Sequence, residues 1–280
     1  MTQESSKTVR RTISAARTVV RNPQPASPQP KPRVVRIRPV PAVNRAAAIL
    51  HLLAKRGEGL TVSQIARELQ INVSTCLHIM RALTAAHLAA FDSNGKLYRL
   101  GLEILSLASR LSAHDVFIQA AQPRLAQFAN DFSVSASAQQ RDGDEVVVVA
   151  SVVATEGLAS PLGRRVPCLS AAAGRLYATS SEWNDSQLRA YFERVRWQNR
   201  PHFDAWMNEV KLAQRNGFAI DEGQFRLGVT SIAAAIPETE GNVLHTISIN
   251  VVSAQMDEKR RSNFIRALQL MARDIAIACR

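Results

Sequence analysis

Cysteine is scarce. Cys76, Cys168 and Cys279 are the three in 280 residues, too few and too scattered for a disulfide framework or a zinc cluster. Free thiols fit a reducing, cytoplasmic setting. No run of 18 apolar residues occurs, so neither a transmembrane helix nor a membrane partner is expected. Nothing at the start reads as a charged-then-apolar signal peptide. Catalytic signatures are missing too: there is no Gly-x-Ser-x-Gly elbow, no His-Glu-x-x-His and no Gly-x-x-x-x-Gly-Lys loop. The six histidines, at 51, 78, 87, 114, 202 and 245, form no ligand-spaced pair. No enzyme, metal site or cofactor is expected.

Acid is nearly absent from one end. The chain holds 35 Lys and Arg against 23 Asp and Glu, a net +12. Residues 1–42 carry nine basic residues and a single acid, Glu4, for +8, and residues 43–100 add +4. Residues 101–280 hold 19 of each sign and are neutral. A basic start on a neutral remainder points to a polyanion-binding module joined to a different kind of domain. The length suits one large domain or two ordinary ones. Seven of the twelve prolines fall within 1–42, among Arg, Ser and Gln, which reads as a disordered basic tail. Its charge either adds sequence-blind affinity for phosphates or keeps the chain soluble.

Residues 43–100 change character. Val43 to Lys55 has helical apolar spacing and stops at Gly57 and Gly59. Thr61 with Gln64 forms a capping box opening a short helix through Leu69. A turn at Gln70-Ile71-Asn72 leads into a second helix, capped by Asn72, with Cys76, Ile79, Met80 and Leu83 on one face. Ser74, Thr75, Leu77, His78 and Arg81 lie on the other side. Two short helices joined by a tight turn have helix-turn-helix geometry. Leu88–Phe91 and Lys96–Leu100 flank Asp92-Ser93-Asn94-Gly95, and Asn94-Gly95 is a strong hairpin dipeptide, which adds a wing.

Residues 101–112 read as one more helix with a narrow stripe of Leu102, Leu105, Ala108 and Leu111. It is a plain connector, or a lever that packs against its copy in a dimer. Beyond it, helices are expected near 114–131, 170–179, 185–192, 202–216 and 257–279. Strands are expected near 133–140, 145–153, 231–236 and 243–252, the first two joined by a turn at Arg141-Asp142-Gly143-Asp144. The expected fold class is α+β. A winged helix-turn-helix over 43–100 precedes a linker helix over 101–112 and a C-terminal α/β domain over 113–280. That domain has a largely antiparallel, curved sheet with helices on both sides.

Four stretches carry a family resemblance: LTVSQIARELQINVSTCLHIMRAL at 60–83, Tyr98-Arg99-Leu100-Gly101, PLGRRVPCLSAAAGR at 161–175, and GFAIDEGQFRLGVTSIAAAI at 217–236. In that order and spacing, residues 43–280 resemble the IclR-type bacterial transcriptional regulators. The resemblance implies a cytoplasmic regulator that binds double-stranded operator DNA as a homodimer or homotetramer. It also implies that the C-terminal domain senses a small, often acidic or aromatic, organic acid. An enzyme that processes such a metabolite, or a constitutive DNA-organising protein, are the alternatives.

At the DNA end, Ser74 and Thr75 sit in the first turn of the second helix, where free N–H groups favour phosphate. His78 and Arg81 face outward towards base edges; Arg81 read otherwise is a solvated surface charge. Family members often carry His-Arg where this chain has Leu77-His78, and Leu77 either touches a thymine methyl or packs inward. Arg45 and Arg99 are candidate backbone contacts.

At the effector end, alignment on the motifs makes Ala172 and Ala173 the backbone N–H donors at a helix start, an arrangement suited to a carboxylate. Asp221 matches the family's pocket acid, and Ser231, Ser248 and Asn250 match polar pocket positions. Ser248 and Asn250 stand two apart on one strand and so share a face, independently of the resemblance. Read otherwise, Asp221 is a surface acid and Ser231 a small core residue, and Cys168 either lines the pocket or is a packed apolar side chain. Leu169, Arg175 and Ala235 replace the His, Lys and Pro frequent in the family. The loss of that His favours an apolar, aromatic or alkyl-bearing acid. The sign of regulation is not legible.

Overall fold

The computed structural model describes residues 40–180, 183–238 and 241–280. All but the last three residues of the expected basic tail lie outside this range. Pro41 opens the first helix, α1 (Pro41–Arg56), two residues before the expected start at Val43. The reason is local. A helix's first residues have no intrahelical acceptor for their N–H, so proline loses nothing there, and its fixed φ suits the first turn. Gly57, at φ 68°, ends the helix in the left-handed region.

The Thr61–Gln64 capping box forms as the spacing predicts and starts α2 (Val62–Glu68). The Thr61 N–H donates to Gln64 Oε1 at 2.8 Å and the Gln64 N–H to Thr61 Oγ1 at 3.3 Å. After the turn, α3 (Val73–Ala85) buries Cys76, Met80 and Leu83 against Ile49, Leu53 and Ile65, with Ile79 half-buried beside them. Two strands, β1 (Ala89–Asp92) and β2 (Leu97–Leu100), pair antiparallel in the register Asp92↔Leu97. The hairpin is the expected wing, but its turn differs in detail. The left-handed residue is Lys96, at φ 53°, and not Gly95. Gly95 instead lies where an added Cβ would meet the Leu97 side chain at 2.9 Å. Leu60 and Tyr98 exchange backbone hydrogen bonds at 2.9 and 2.8 Å, tying the start of α2 to the wing. At the wing's exit a Cβ on Gly101 would fall 1.9 Å from the carbonyl oxygen of His87, so only glycine fits.

The connecting helix, α4 (Glu103–His114), begins two residues later than expected and has no buried residue. Leu102, Leu105 and Leu111 are 81%, 67% and 66% exposed. Asp115 ends α4 and caps the next helix, α5 (Val116–Phe132), by accepting the Ile118 N–H at 3.0 Å.

The remainder is one six-stranded sheet with every neighbouring pair antiparallel. Its strands are β3 (Ala136–Asp142), β4 (Glu145–Val152), β5 (Arg165–Pro167), β6 (Phe218–Glu222), β7 (Val229–Ala235) and β8 (His245–Val252), in the spatial order β5-β4-β3-β8-β7-β6. Sequence reasoning missed β5 and β6, and hence the sheet's two edges. The helices on this part are α6 (Ala171–Tyr177), α7 (Asp185–Arg194), α8 (Phe203–Asn216) and α9 (Glu258–Ala278).

Strand β8 shows how the sheet divides its labour. It alternates Thr246, Ser248 and Asn250 with Ile247, Ile249 and Val251, and successive side chains in a strand point to opposite faces. The aliphatic set joins Ala136, Ala138, Ile232 and Ala234 under α5 and α9. The polar set faces α6, where small residues, Ala219 and Ala233, let Ala172 and Leu176 pack close. Among the described residues no helix is long and apolar enough to cross a membrane.

Candidate functional site

The polar face of the sheet is ordered by strand register. Asp221 on β6 stands opposite Ser231 on β7, and Ser231 opposite Asn250 on β8, so the three form one row across the sheet. Ser248, two residues before Asn250, stands opposite Ser137 on β3 in the next row. Asp221, Ser231, Ser248 and Asn250 all line a cavity of about 90 Å³ beneath the loop and helix start at 158–173. Four residues singled out from the sequence, drawn from three strands, thus come to one place.

The helix start closes one side of that cavity. Ser170, Ala171 and Ala173 line it. The side chain of Ala172 is fully buried and packs with Leu176 and Ala233, while its backbone N–H belongs to the first turn of the helix. Ser170 occupies the N-cap of α6, but its side chain does not cap, so the first-turn N–H groups lack a side-chain acceptor. The Ser170 hydroxyl is buried, with the residue 4% exposed, and it has no hydrogen-bond partner. Ala171 sits at φ 52°, a left-handed conformation that costs a Cβ-bearing residue about 1–3 kcal/mol and recurs at ligand clamps.

Asp221 is no surface acid. Its side chain is 2% exposed and its Oδ2 lies 3.1 Å from Arg175 Nη1. Its Oδ1 accepts the backbone N–H groups of Gln224 and Phe225 at 3.1 and 3.2 Å. Burial pushes the Asp221 carboxyl above its ordinary range, with Arg175 and those N–H groups opposing the rise. Arg175, noted in the sequence only as a departure from Lys, is the centre of this corner. Its side chain is 1% exposed, and it also holds Glu209 Oε2 at 2.7 Å, the Ala171 carbonyl at 2.7 Å and the Gln224 side-chain oxygen. A single guanidinium thereby ties α6 to α8 and to the turn after β6. Its planar fork reaches all four acceptors, which a lysine's single ammonium does less well.

Gln139 is a second residue that sequence reasoning passed over. It lines the cavity and donates through Nε2 to Ser137 Oγ and Ser248 Oγ, each at 2.7 Å. Its Oε1 accepts the Thr246 hydroxyl at 2.9 Å, and Thr246 Oγ1 also meets the buried Tyr177 hydroxyl at 2.9 Å. Burial raises the Tyr177 pKa well above the ordinary phenol range. Asn250 Nδ2 donates to Ser160 Oγ at 3.3 Å, linking strand to loop. The signal for Gln139 was the alternation Ser135, Ser137, Gln139, which puts all three on the face that Ser248 shares. Cys168, buried beside Leu169 and Val146, is a packed apolar side chain, and burial raises its pKa to about 11.

On α3, Ser74, His78 and Arg81 are exposed, while Thr75 and Leu77 are half-buried. Asn72 holds the N-cap position without a side-chain bond to a backbone N–H; its oxygen instead accepts the Ser74 hydroxyl at 3.4 Å. Arg45 on α1 and Arg99 on β2 are exposed.

Residues 42–93 match the family model described as the IclR helix-turn-helix domain, and residues 108–277 match that of the bacterial transcriptional regulator IclR C-terminal domain. The HTH-type transcriptional repressor AllR of Escherichia coli (strain K12) is 25% identical over 242 residues, covering 85% of this chain and 89% of that one. The crystal structure of an IclR-type regulator from Alicyclobacillus acidocaldarius superposes with a TM-score of 0.76 at 21% identity, over 87% of this chain and all of the other. An IclR homologue of Microbacterium hydrocarbonoxydans, crystallised with 4-hydroxybenzoate, gives 0.69 at 16% identity over 85% of this chain and 98% of its own. With both modules matched in order along its length, this chain is a DNA-binding regulator rather than an enzyme, and it belongs to the IclR family of bacterial transcriptional regulators.

Proposed function

We propose that this chain binds operator DNA as a homo-oligomer and that a small organic acid, held in the cavity beneath α6, sets its affinity. The winged module spans 41–100 in this reading, α4 links it to the rest, and the effector-binding domain runs from 113 to 280. The observation that carries the reading is the row Asp221–Ser231–Asn250, joined by Ser248, on the wall of one cavity. That cavity combines an apolar side (Val146, Val148, Val229) with few and convergent polar groups, the usual make-up of a small-molecule site. The complex of the Microbacterium relative with 4-hydroxybenzoate supports an aromatic acid as the first probe.

At the other end, Ser74 and Thr75 contact phosphate while His78 and Arg81 read base edges, with Leu77 against a thymine methyl and Arg45 and Arg99 on the backbone. The exposed leucines of α4 form the seam between copies. Ligand binding then biases one arrangement of the oligomer, which requires different affinities for the two arrangements. Calorimetric titration of the full chain with 4-hydroxybenzoate, benzoate and glyoxylate, followed by operator retardation with and without the acid that binds, tests the proposal. Saturable binding that changes operator affinity is the expected result. Binding without any change refutes the coupling. Retention of random DNA that collapses with salt as fully as operator DNA refutes sequence-specific recognition.

A further inference from the structure

A second cavity, of about 160 Å³, meets the first at Pro167, which lines both. Its floor is apolar: beside Pro167 lie Cys168 and Leu169, 1% and 0% exposed. Its rim is polar and comes from two elements, Asp144 and Glu145 at the start of β4 and Tyr191 and Arg194 in the last turn of α7. Three features of that rim favour a cation at one point. Tyr191 presents its ring face, with Arg194 Cζ 4.9 Å from the centroid. Asp144 Oδ2 accepts from Arg194 Nη1 at 3.3 Å. The guanidinium also stands at the C-terminal end of α7, where the helix field attracts positive charge. Glu145 is answered by Arg165 at 2.8 Å, so Arg194 is the one cation on the wall among the described residues. Yet it is loosely held. Its side chain is 64% exposed and that of Asp144 53%, and an exposed pair of this kind is worth little.

We infer that this second cavity is a binding site for a small organic cation, an amidinium, guanidinium or ammonium group on a compact apolar body, and that Arg194 is the internal occupant such a ligand displaces. The charged head takes over the guanidinium's place between the Tyr191 ring and Asp144. The body enters the space that stays open with Arg194 in position, which at about 30 Å³ per water equals about five waters of liquid. Burial of that body against Pro167, Cys168 and Leu169 is what lets a free ligand compete with a tethered arginine. Once Arg194 swings into water, Asp144 has no other ion-pair partner among the described residues, and the incoming cation supplies one. An organic acid meets the opposite field here, with two rim carboxylates and the C-terminal end of α7 facing it. The site is therefore separate in ligand class from the cavity beneath α6, and its existence does not depend on how that cavity is read.

The test titrates the full chain with benzamidine, and with the neutral benzamide as its uncharged counterpart, at constant ionic strength. The readout is the indole N–H resonance of Trp183, whose ring stands edge-on to Tyr191 at 4.7 Å; Trp183→Phe assigns it. Wild type should show a saturable shift with benzamidine at millimolar concentration. Arg194→Gln should bind it about five- to thirtyfold tighter, the factor set by removing an exposed ion pair and a cation–π contact that compete with the ligand. Arg196→Gln removes an equal charge from an exposed neighbour outside the cavity wall and should change nothing. Tyr191→Leu or Asp144→Asn, each added to Arg194→Gln, should cancel most of the gain, and circular dichroism verifies folding. Benzamide should bind more weakly than benzamidine to every variant. No saturable shift with benzamidine in wild type or in Arg194→Gln overturns the site. An equal response to benzamide overturns its selectivity for cations, and an equal gain in Arg196→Gln overturns the role of Arg194.

Discussion

Replacing Arg175 by methionine should destabilise the C-terminal part of the chain by about 3–5 kcal/mol, the range for stripping one partner from a buried ion pair. The structure shows why the loss is large. Methionine keeps the apolar stem but has no donor for Asp221, Glu209, Gln224 or the Ala171 carbonyl. Glu209 is partly exposed and can turn to water, but Asp221 cannot. Asp221 would keep only the N–H groups of Gln224 and Phe225. Burial already raises its pKa, and losing Arg175 removes the largest influence opposing that rise. A carboxyl whose folded pKa lies above its unfolded value contributes stability fully below the unfolded value and loses it as pH climbs through the folded one. The deficit of Arg175→Met should therefore be largest at neutral and alkaline pH and shrink on acidification. Urea unfolding followed by tryptophan fluorescence at about pH 5 and about pH 8 measures this. All three tryptophans (183, 197 and 206) lie in the apolar cluster around α7 and α8, so the signal reports the affected region. Adding Asp221→Asn to the variant should recover about half of the loss, because the unpaired charge is gone. Equal deficits at both pH values, with strictly additive effects in the double variant, would refute the reasoning.

Arg81→Ala should lower operator affinity by about 1–3 kcal/mol and blur discrimination at one base position; unchanged competition by mutated operators would show that Arg81 does not read sequence. Leu105→Glu together with Leu111→Glu should shift sedimentation towards the monomer, since both side chains are exposed on α4 in the single chain; an unaltered oligomer places the seam elsewhere. Gly101→Ala forces its Cβ into the His87 carbonyl, a backbone contact that cannot rotate away. Overpacking of this kind costs about 1–3 kcal/mol, and calorimetric melting of the winged module should fall accordingly.

The sequence made the strongly periodic elements legible. The α2 capping box, the buried face of α3 and the alternation of β8 each follow from spacing alone, and β8 by itself placed Ser248 and Asn250 on one face. The remainder depended on long-range packing. β5 has three residues and β6 five, too short for a period to register, and they become strands because β4 and β7 offer unpaired edges. Arg175 was invisible as a hub because its four partners come from three other segments and from its own helix.

The two faces of β8 have an evolutionary consequence. Positions 246, 248 and 250 face the cavity side, and positions 247, 249 and 251 hold the core, so ligand preference and foldability are written in alternate letters of one strand. A lineage could drift through successive substitutions at the even positions and acquire a new chemical vocabulary without passing through an unfolded ancestor. The same partition lets a designer randomise half of a central strand and still recover a library that is mostly soluble.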